Sequence, residues 1–284
     1  MLARVSLTSE LDNPASRISV FMDQAFPASD SVVEQIARGL PAAMARPERG
    51  HHQANSWQMI GTAIDYRLRL AFAANAVAHS PAFAAGMMCA RARAESDHDP
   101  DGDTYRKIAE LGHDLMLRLK SVTRANDPSN RSKPLFVGGT AGEELCRLCY
   151  AAAWYDALSR SGDLDDDRTK VLGFVAVNSP ALDNMLDAVP HAAVANMIEL
   201  LRYAAGSELG ELRAKAQAIV PGPCFAGSAD VNGADADFIV DDLLLEIKTH
   251  RNPTNYLRES LRQLLGYMLL DYDDEFRIHQ VLTA

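Results

Sequence analysis

Apolar side chains recur at helical spacing through most of the chain. From position 57 onward they stand three and four residues apart: Trp57, Ile60, Ile64, Leu68 and Phe72. This spacing predicts an amphipathic helix over about 56–78. Similar patterns, separated by Pro, Gly and acidic breaks, predict helices over about 82–94, 104–122, 142–159, 181–188, 192–205 and 208–218. The first 50 residues are only weakly periodic.

The pattern changes after Pro221. Two short β-type runs, at about 236–240 and 243–248, flank Asp241-Asp242, which predicts a hairpin turn. A helix follows at about 255–270, with five apolar residues on one side: Leu257, Leu261, Leu264, Leu265 and Met268. A last strand is predicted at 277–283. The sequence therefore predicts an α/β protein, with a mainly helical region over 1–220 and a small mixed β-sheet over 221–284.

Composition bounds the class of protein. The chain has 284 residues, 48% of them apolar, and a formal net charge of −10, so it can form a large core without disulfides or a structural metal. It shows neither a long apolar stretch nor a signal-peptide pattern, and it has four cysteines. We therefore expect a cytoplasmic protein that does not interact with membranes. The net charge argues against bulk coating of nucleic acid, but it includes any carboxylates that bind metal.

The hairpin carries the candidate chemistry. A turn at Asp241-Asp242 can bring Asp237 close to Glu246, while Lys248 shares a strand face with Glu246. Converging carboxylates repel each other unless a cation lies between them, and hard oxygen ligands suit Mg²⁺ or Mn²⁺. An ammonium beside such a metal site suits phosphodiester hydrolysis. The alternative without catalytic chemistry is a solvent-facing hairpin with a Glu246–Lys248 surface pair.

Asp237, followed after a short gap by Glu246-Ile247-Lys248, resembles the motif of the PD-(D/E)XK nuclease superfamily, whose core is restriction-endonuclease-like. Gln263 and Tyr267 resemble the Gln-x-x-x-Tyr signature of its RecB-like branch, which includes lambda-exonuclease-like enzymes. The resemblance implies that Asp237, Glu246 and the Ile247 carbonyl hold the metal ion. It also implies that Lys248, Gln263 and Tyr267 complete the catalytic site. An ordinary amphipathic helix with a half-buried tyrosine is the alternative for the last pair.

A second segment bears on the same resemblance. Gly61-Thr62 and Asp65 resemble the Gly-Thr-x-x-His helix of the RecB-like branch, with Asp65 in the place of the histidine. The resemblance implies that the helix at about 56–76 joins the nuclease core and that Asp65 contributes to metal binding. The alternative for Asp65 is a helical i,i+4 ion pair with Arg69.

A local basic cluster suggests where nucleic acid binds. Arg251, Arg258 and Arg262 lie close to Lys248 in the sequence. Such a cluster beside a carboxylate site can hold phosphates although the whole chain is acidic. We expect DNA as the partner, with RNA left open. An ordinary solvated helix face is the alternative.

These patterns favour a metal-dependent DNA nuclease, which the family context associates with DNA repair, recombination or phage defence. The alternative is a catalytically silent nuclease-fold scaffold that works in a larger complex. In either case, the helical region is the predicted surface for a protein partner or for homo-oligomerisation.

Overall fold

The computed structural model describes residues 7–27, 29–39, 54–73, 76–77, 80–96, 100–136, 138–231, 233–234, 236–248 and 256–283. The chain divides into two compact units. The composite unit contains residues 1–46 and 216–284, and the helical unit contains residues 47–215. Both ends of the chain therefore belong to one unit, and the helical unit is inserted between them.

The composite unit begins with three helices, α1 (Leu7–Asp12), α2 (Arg17–Ala25) and α3 (Ser29–Gly39). The helical unit follows with eight elements: α4 (Ala54–Phe72), α5 (Pro81–Ala94), α6 (Gly102–Asn126), α7 (Thr140–Ser161), α8 (Lys170–Asn178), α9 (Leu182–Asp187), α10 (His191–Gly206) and α11 (Glu208–Lys215). The chain then returns to the composite unit with β1 (Ile219–Pro221), a short 3₁₀ helix (Ser228–Val231), β2 (Phe238–Val240), β3 (Leu243–Glu246), α12 (Leu257–Leu270) and β4 (Gln280–Thr283).

The four strands form one mixed sheet in the order β1-β2-β3-β4. Strands β1, β2 and β3 pair antiparallel, whereas β3 and β4 pair parallel. The parallel pair requires a crossover, and α12 provides it. This helix packs on β3 and β4 and also on α1 and α3.

The core of the composite unit joins both ends of the chain. Its buried members come from α1, the sheet, α12 and the connecting loops: Leu7, Phe225, Val231, Ala234, Ala236, Ile239, Leu244, Leu264, Tyr267, Leu270 and Ile278. Leu7 lies against Gly266 so closely that a Cβ at Gly266 would be 3.1 Å from the Leu7 methyl groups. The absence of a side chain at Gly266 thus lets α1 approach α12.

Close helix packing also organises the helical unit. The central helix α7 contacts α4, α5, α6 and α10. A Cβ at Gly86 would be 2.0 Å from the carbonyl oxygen of Tyr155, so only glycine permits the observed approach of α5 to α7. Within the part of the chain that is described, no helix is long and apolar enough to cross a membrane.

The predicted α/β class and the mixed sheet near the C-terminus are confirmed. The strands are shorter than predicted, and α8 and the helices of the first 39 residues went unpredicted. The predicted division at residue 220 needs correction. Helices α1–α3 belong with the sheet because Leu7 is part of its core. Helix α4, which the resemblance assigned to the nuclease core, belongs to the helical unit, where it packs on α7 and α10.

Candidate active site

The β2–β3 hairpin places Asp237 opposite Glu246. Phe238 pairs with Leu245 in the antiparallel register, so the residue before Phe238 faces the residue after Leu245. Asp241 closes the turn with φ 57°, a left-handed conformation that Asp adopts more readily than most residues. Two acids that are nine positions apart in the sequence thereby become cross-strand neighbours.

The turn is held by side-chain hydrogen bonds. The Asp241 carboxylate oxygen Oδ1 accepts from the backbone N–H groups of Gln217 at 2.9 Å and Ala218 at 2.7 Å. The Asp241 N–H donates to the Ala218 carbonyl at 3.0 Å. The far end of the hairpin is therefore tied to the segment that enters β1, which steadies the strands that carry the acids.

Both carboxylates are buried and bonded to the backbone. Asp237 is 7% exposed and Glu246 is 4% exposed. Asp237 Oδ2 accepts from the Ile247 N–H at 2.6 Å, and Glu246 Oε2 accepts from the Asp237 N–H at 3.3 Å. Each carboxylate thus accepts a hydrogen bond from the backbone at or next to the other acid. The alternative of a solvent-facing hairpin with a Glu246–Lys248 surface pair is wrong, because Glu246 is buried.

Lys248 joins the pair from the end of β3. Its ammonium Nζ lies 2.8 Å from Glu246 Oε1, and about a quarter of its side chain is exposed. Lys248 therefore places a positive charge directly beside one of the two buried carboxylates.

Gln263 and Tyr267 occupy one face of α12, as predicted. Gln263 Nε2 donates to the Tyr267 hydroxyl at 2.7 Å. The Tyr267 ring is buried and stacks on Phe225, with ring centroids 5.6 Å apart. The hydrogen bond therefore orients the Gln263 amide relative to the buried Tyr267 side chain.

A cavity of about 200 Å³ connects Lys248 with Gln263. It is lined by residues of α1 and α12 and by the end of β3: Thr8, Leu11, Asp12, Lys248, Glu259, Ser260, Arg262 and Gln263. Sequence reasoning missed the contribution of α1. The spacing of Leu7 and Leu11 gives a helical signal there, but six residues are too few for a clear pattern.

The predicted phosphate-binding arginines differ in their surroundings. Arg262 is largely buried, and its guanidinium bonds to Asp23 and, at 2.7 Å, to the Ser19 hydroxyl of α2. Intramolecular acceptors thus hold the Arg262 guanidinium in this structure, and its role in phosphate binding stays a prediction. Arg258 is exposed on α12, and Arg251 lies outside the described residues.

Asp65 lies on α4 in the helical unit. Both of its carboxylate oxygens accept from Arg69 Nε at 2.9 Å. This is the i,i+4 pair that was the alternative to a metal role. The contribution of Asp65 to metal binding stays a prediction.

The donor set at the hairpin is suited to a hard divalent cation. Asp237, Glu246 and the Ile247 carbonyl are oxygen donors at one end of a structured hairpin, which is the chemistry that Mg²⁺ and Mn²⁺ prefer. Across the described residues, no group of three or more His, Cys, Asp or Glu side chains is placed to hold a metal ion. Any metal ion at this site would therefore be coordinated by backbone or water oxygen atoms in addition to the two carboxylates.

Comparisons of the chain with protein-family models, with curated proteins and with solved structures found no match.

Proposed function

We propose that this protein is a divalent-metal-dependent nuclease of the PD-(D/E)XK type that hydrolyses phosphodiester bonds in DNA. The observation that carries the proposal is the hydrogen-bonded cluster of Asp237, Glu246 and Lys248 at one end of the β2–β3 hairpin. The helix that bears Gln263 and Tyr267 follows β3 and leads to the parallel strand β4. This order of elements supports the resemblance beyond the motif itself.

Each side chain has a defined task in the proposed reaction. Asp237 and Glu246, with the Ile247 carbonyl, would hold Mg²⁺ or Mn²⁺. A bound divalent ion supplies Lewis-acid stabilisation of the charge on the phosphate. The Lys248 ammonium, positioned by Glu246, donates hydrogen bonds to the attacking water or to a phosphate oxygen.

Gln263 and Tyr267 support this centre from α12. Their hydrogen bond presents a fixed amide at the cavity that Lys248 also lines. Such a group can hold a water molecule or a phosphate oxygen in the orientation for in-line attack, and positioning of this kind lowers the barrier to hydrolysis. The family context links the proposed activity to DNA repair, recombination or defence against phage.

Isosteric variants test the proposal. Plasmid DNA and single-stranded oligonucleotides are incubated with the wild type, Asp237→Asn or Glu246→Gln, each with Mg²⁺ or Mn²⁺. We expect cleavage by the wild type and a loss of about 10³-fold or more in each variant, because metal affinity and transition-state stabilisation are both lost. Glu275→Gln, at an exposed position of the same unit, is the matched control.

Binding is measured separately by calorimetry with Mn²⁺. Affinity should be present at neutral pH, should fall in acid because the ligands must be deprotonated, and should be lost in Glu246→Gln. A folded wild type that neither binds Mn²⁺ nor cleaves DNA would favour the scaffold alternative. Wild-type activity in Glu246→Gln, with contamination excluded, would show that the proposed mechanism is wrong.

A further inference from the structure

The interior of the helical unit contains a guanidinium without a counter-charge. Arg67 lies on α4 and is only 2% exposed. Its Nε and Nη1 atoms are buried and have no hydrogen-bond partner, and no ion pair joins the side chain to any residue that the structure describes. Arginine keeps its charge in proteins, and a buried charge without a partner is costly. The Arg67 guanidinium therefore indicates a partner of opposite charge.

A second buried guanidinium adds to the positive charge. Arg213 is 1% exposed, and its printed acceptors are four backbone carbonyls, which carry no net charge. Burial lowers the pKa of Arg213, and the charges of Arg131 and Arg67 lower it further, against an opposing effect of Asp127. Arg67 and Arg213 are therefore electrostatic neighbours inside one unit, and neither forms an ion pair with a described carboxylate.

The other groups around Arg67 do not supply an anion. Cys146 and Cys149 are buried on α7 and interact electrostatically with Arg67. Burial raises the pKa of the Cys146 thiol to about 11 and also raises that of Cys149, so both thiols are neutral at pH 7. The centroid of the Phe136 ring lies 5.9 Å from the guanidinium carbon, at the outer limit of a cation–π contact.

Few donors and close enclosure limit the size and charge of the missing partner. A partner protein or a nucleic-acid phosphate does not reach a side chain that is 2% exposed. Asp65, on the same helix, gives both carboxylate oxygens to Arg69. Carbonyls engage all three nitrogens of the Arg213 guanidinium, so a multivalent oxyanion would find few donors. Because the cost of burying an ion rises with its charge, a small monovalent ion suits the site best.

We propose that the Arg67 guanidinium binds a chloride ion inside the helical unit. The ion accepts a hydrogen bond from Nε or Nη1 and offsets the positive charge of the two buried arginines. The site makes the stability of the helical unit depend on chloride concentration. This inference goes beyond the proposed nuclease function and does not rest on it.

Urea denaturation over a chloride series tests the site, with gluconate replacing chloride at constant ionic strength. Both tryptophans, Trp57 and Trp154, belong to the helical unit, so their fluorescence reports its unfolding. A ligand that binds only the folded state multiplies the folding equilibrium constant by 1 + [L]/Kd. We expect about a tenfold rise for each tenfold increase of chloride above Kd in the wild type, and no rise in Arg67→Met. Arg202→Met, at an exposed position of α10, is the matched control and should keep the wild-type response.

The outcomes are distinct. In chloride-free gluconate, Arg67→Met should be at least as stable as the wild type, which establishes that the variant folds. A wild type without a chloride response, or an equal response in Arg67→Met, would overturn the site. If phosphate or sulfate stabilises the wild type relative to Arg67→Met and chloride does not, the ligand is an oxyanion and the chloride assignment is wrong.

Bromide gives a second test that needs no variant. Bromide substitutes for chloride and scatters anomalously, so wild-type crystals grown in bromide should show an anomalous peak at hydrogen-bonding distance from Arg67 Nε or Nη1. A water molecule at that position in bromide would mean that water completes the hydrogen bonding, and the inference would be wrong. A bromide peak without a difference in chloride response between the wild type and Arg67→Met would mean an adventitious ion only and would also count against the site.

Discussion

The carboxylate of Glu246 accepts a hydrogen bond from the backbone N–H of Asp237 across the hairpin. The contact links the orientation of one acid to the backbone of the other. Because both side chains are buried, their positions are set by the fold before any ion or substrate binds. A preorganised site of this kind loses little energy to rearrangement when charge develops.

Removal of the Lys248 ammonium should have opposite effects on metal binding and on cleavage. Lys248→Met removes the positive charge next to Glu246, so Mn²⁺ should bind at least as tightly as in the wild type. The cleavage rate should fall by about 10²–10³-fold, because a donor to the reacting groups is lost. Calorimetry and single-turnover kinetics measure the two effects, with Lys215→Met at an exposed helical pair as control. Loss of both properties would mean that Lys248 only maintains the fold of the site.

The Tyr267 hydroxyl should matter for rate more than for stability. Tyr267→Phe keeps the stacking on Phe225 but leaves the Gln263 amide without its acceptor. We expect a loss of about 10–100-fold in kcat and a change in the free energy of unfolding below about 1.5 kcal/mol. Tyr267→Ala should instead cost about 3–5 kcal/mol in stability, because it leaves a cavity in the core. Kinetics measure the loss of rate, and urea denaturation measures the loss of stability, in both variants. Full activity of Tyr267→Phe would show that the hydroxyl has no part in the proposed mechanism.

Two buried arginines of the helical unit should respond in opposite ways to substitution by methionine. The Arg213 guanidinium donates to the carbonyls of Ala71, Pro128, Asn130 and Lys133 at 2.6–2.9 Å. In Arg67, by contrast, Nε and Nη1 are buried and have no hydrogen-bond partner among the described residues, and the guanidinium lies 5.9 Å from the centroid of the Phe136 ring.

Arg213→Met should therefore destabilise the protein by about 3 kcal/mol or more. Arg67→Met should be neutral or stabilising by up to about 2 kcal/mol, because it removes an incompletely paired buried charge. Urea midpoints of the two variants, measured under the same conditions, provide the comparison. A large loss of stability in Arg67→Met would show that its guanidinium has acceptors in solution, such as ordered water.

Asp156 should give the helical unit a distinct pH dependence. Burial raises the pKa of this carboxyl above its ordinary value, and Arg160 offsets only part of the shift. Because the folded-state pKa is the higher one, the folded protein takes up the proton first as the pH falls. The contribution of Asp156 to stability thus increases as the pH falls through the folded-state pKa towards the unfolded value of about 3.9.

Asp156→Asn removes this contribution. Its stability relative to the wild type should be highest near pH 7 and should decline as the solution is acidified. Asp103, whose pKa is lowered by a hydrogen bond from Lys107, gives a control of opposite sign, since its favourable contribution is lost in acid. Urea denaturation between neutral and mildly acidic pH measures the free energy of unfolding of Asp156→Asn and of the control Asp103→Asn. A parallel pH profile for Asp156→Asn and the wild type would contradict the expectation.

Local sequence patterns were sufficient to predict the hairpin and α12. Asp237 and Glu246 are joined by two short β-type runs around the turn at Asp241-Asp242, so their proximity follows from local geometry. The partners of Arg262 could not be predicted in this way. Asp23 and Ser19 lie more than 200 positions away in the sequence, and no local periodicity encodes which distant helix packs on α12. The same reason explains why α1, with one buried leucine in six residues, was not assigned to the sheet.

The discontinuous composite unit has a consequence for synthesis on the ribosome. Helices α1–α3 emerge first, but the sheet and α12, against which they pack, emerge only after residue 215. At roughly 5–20 residues per second, the inserted helical unit takes about 10–30 s to be translated. It can fold during that interval, whereas α1–α3 cannot pack against the sheet and α12 until the helical unit has been translated. The proposed active site is therefore completed only after the helical unit has been synthesised.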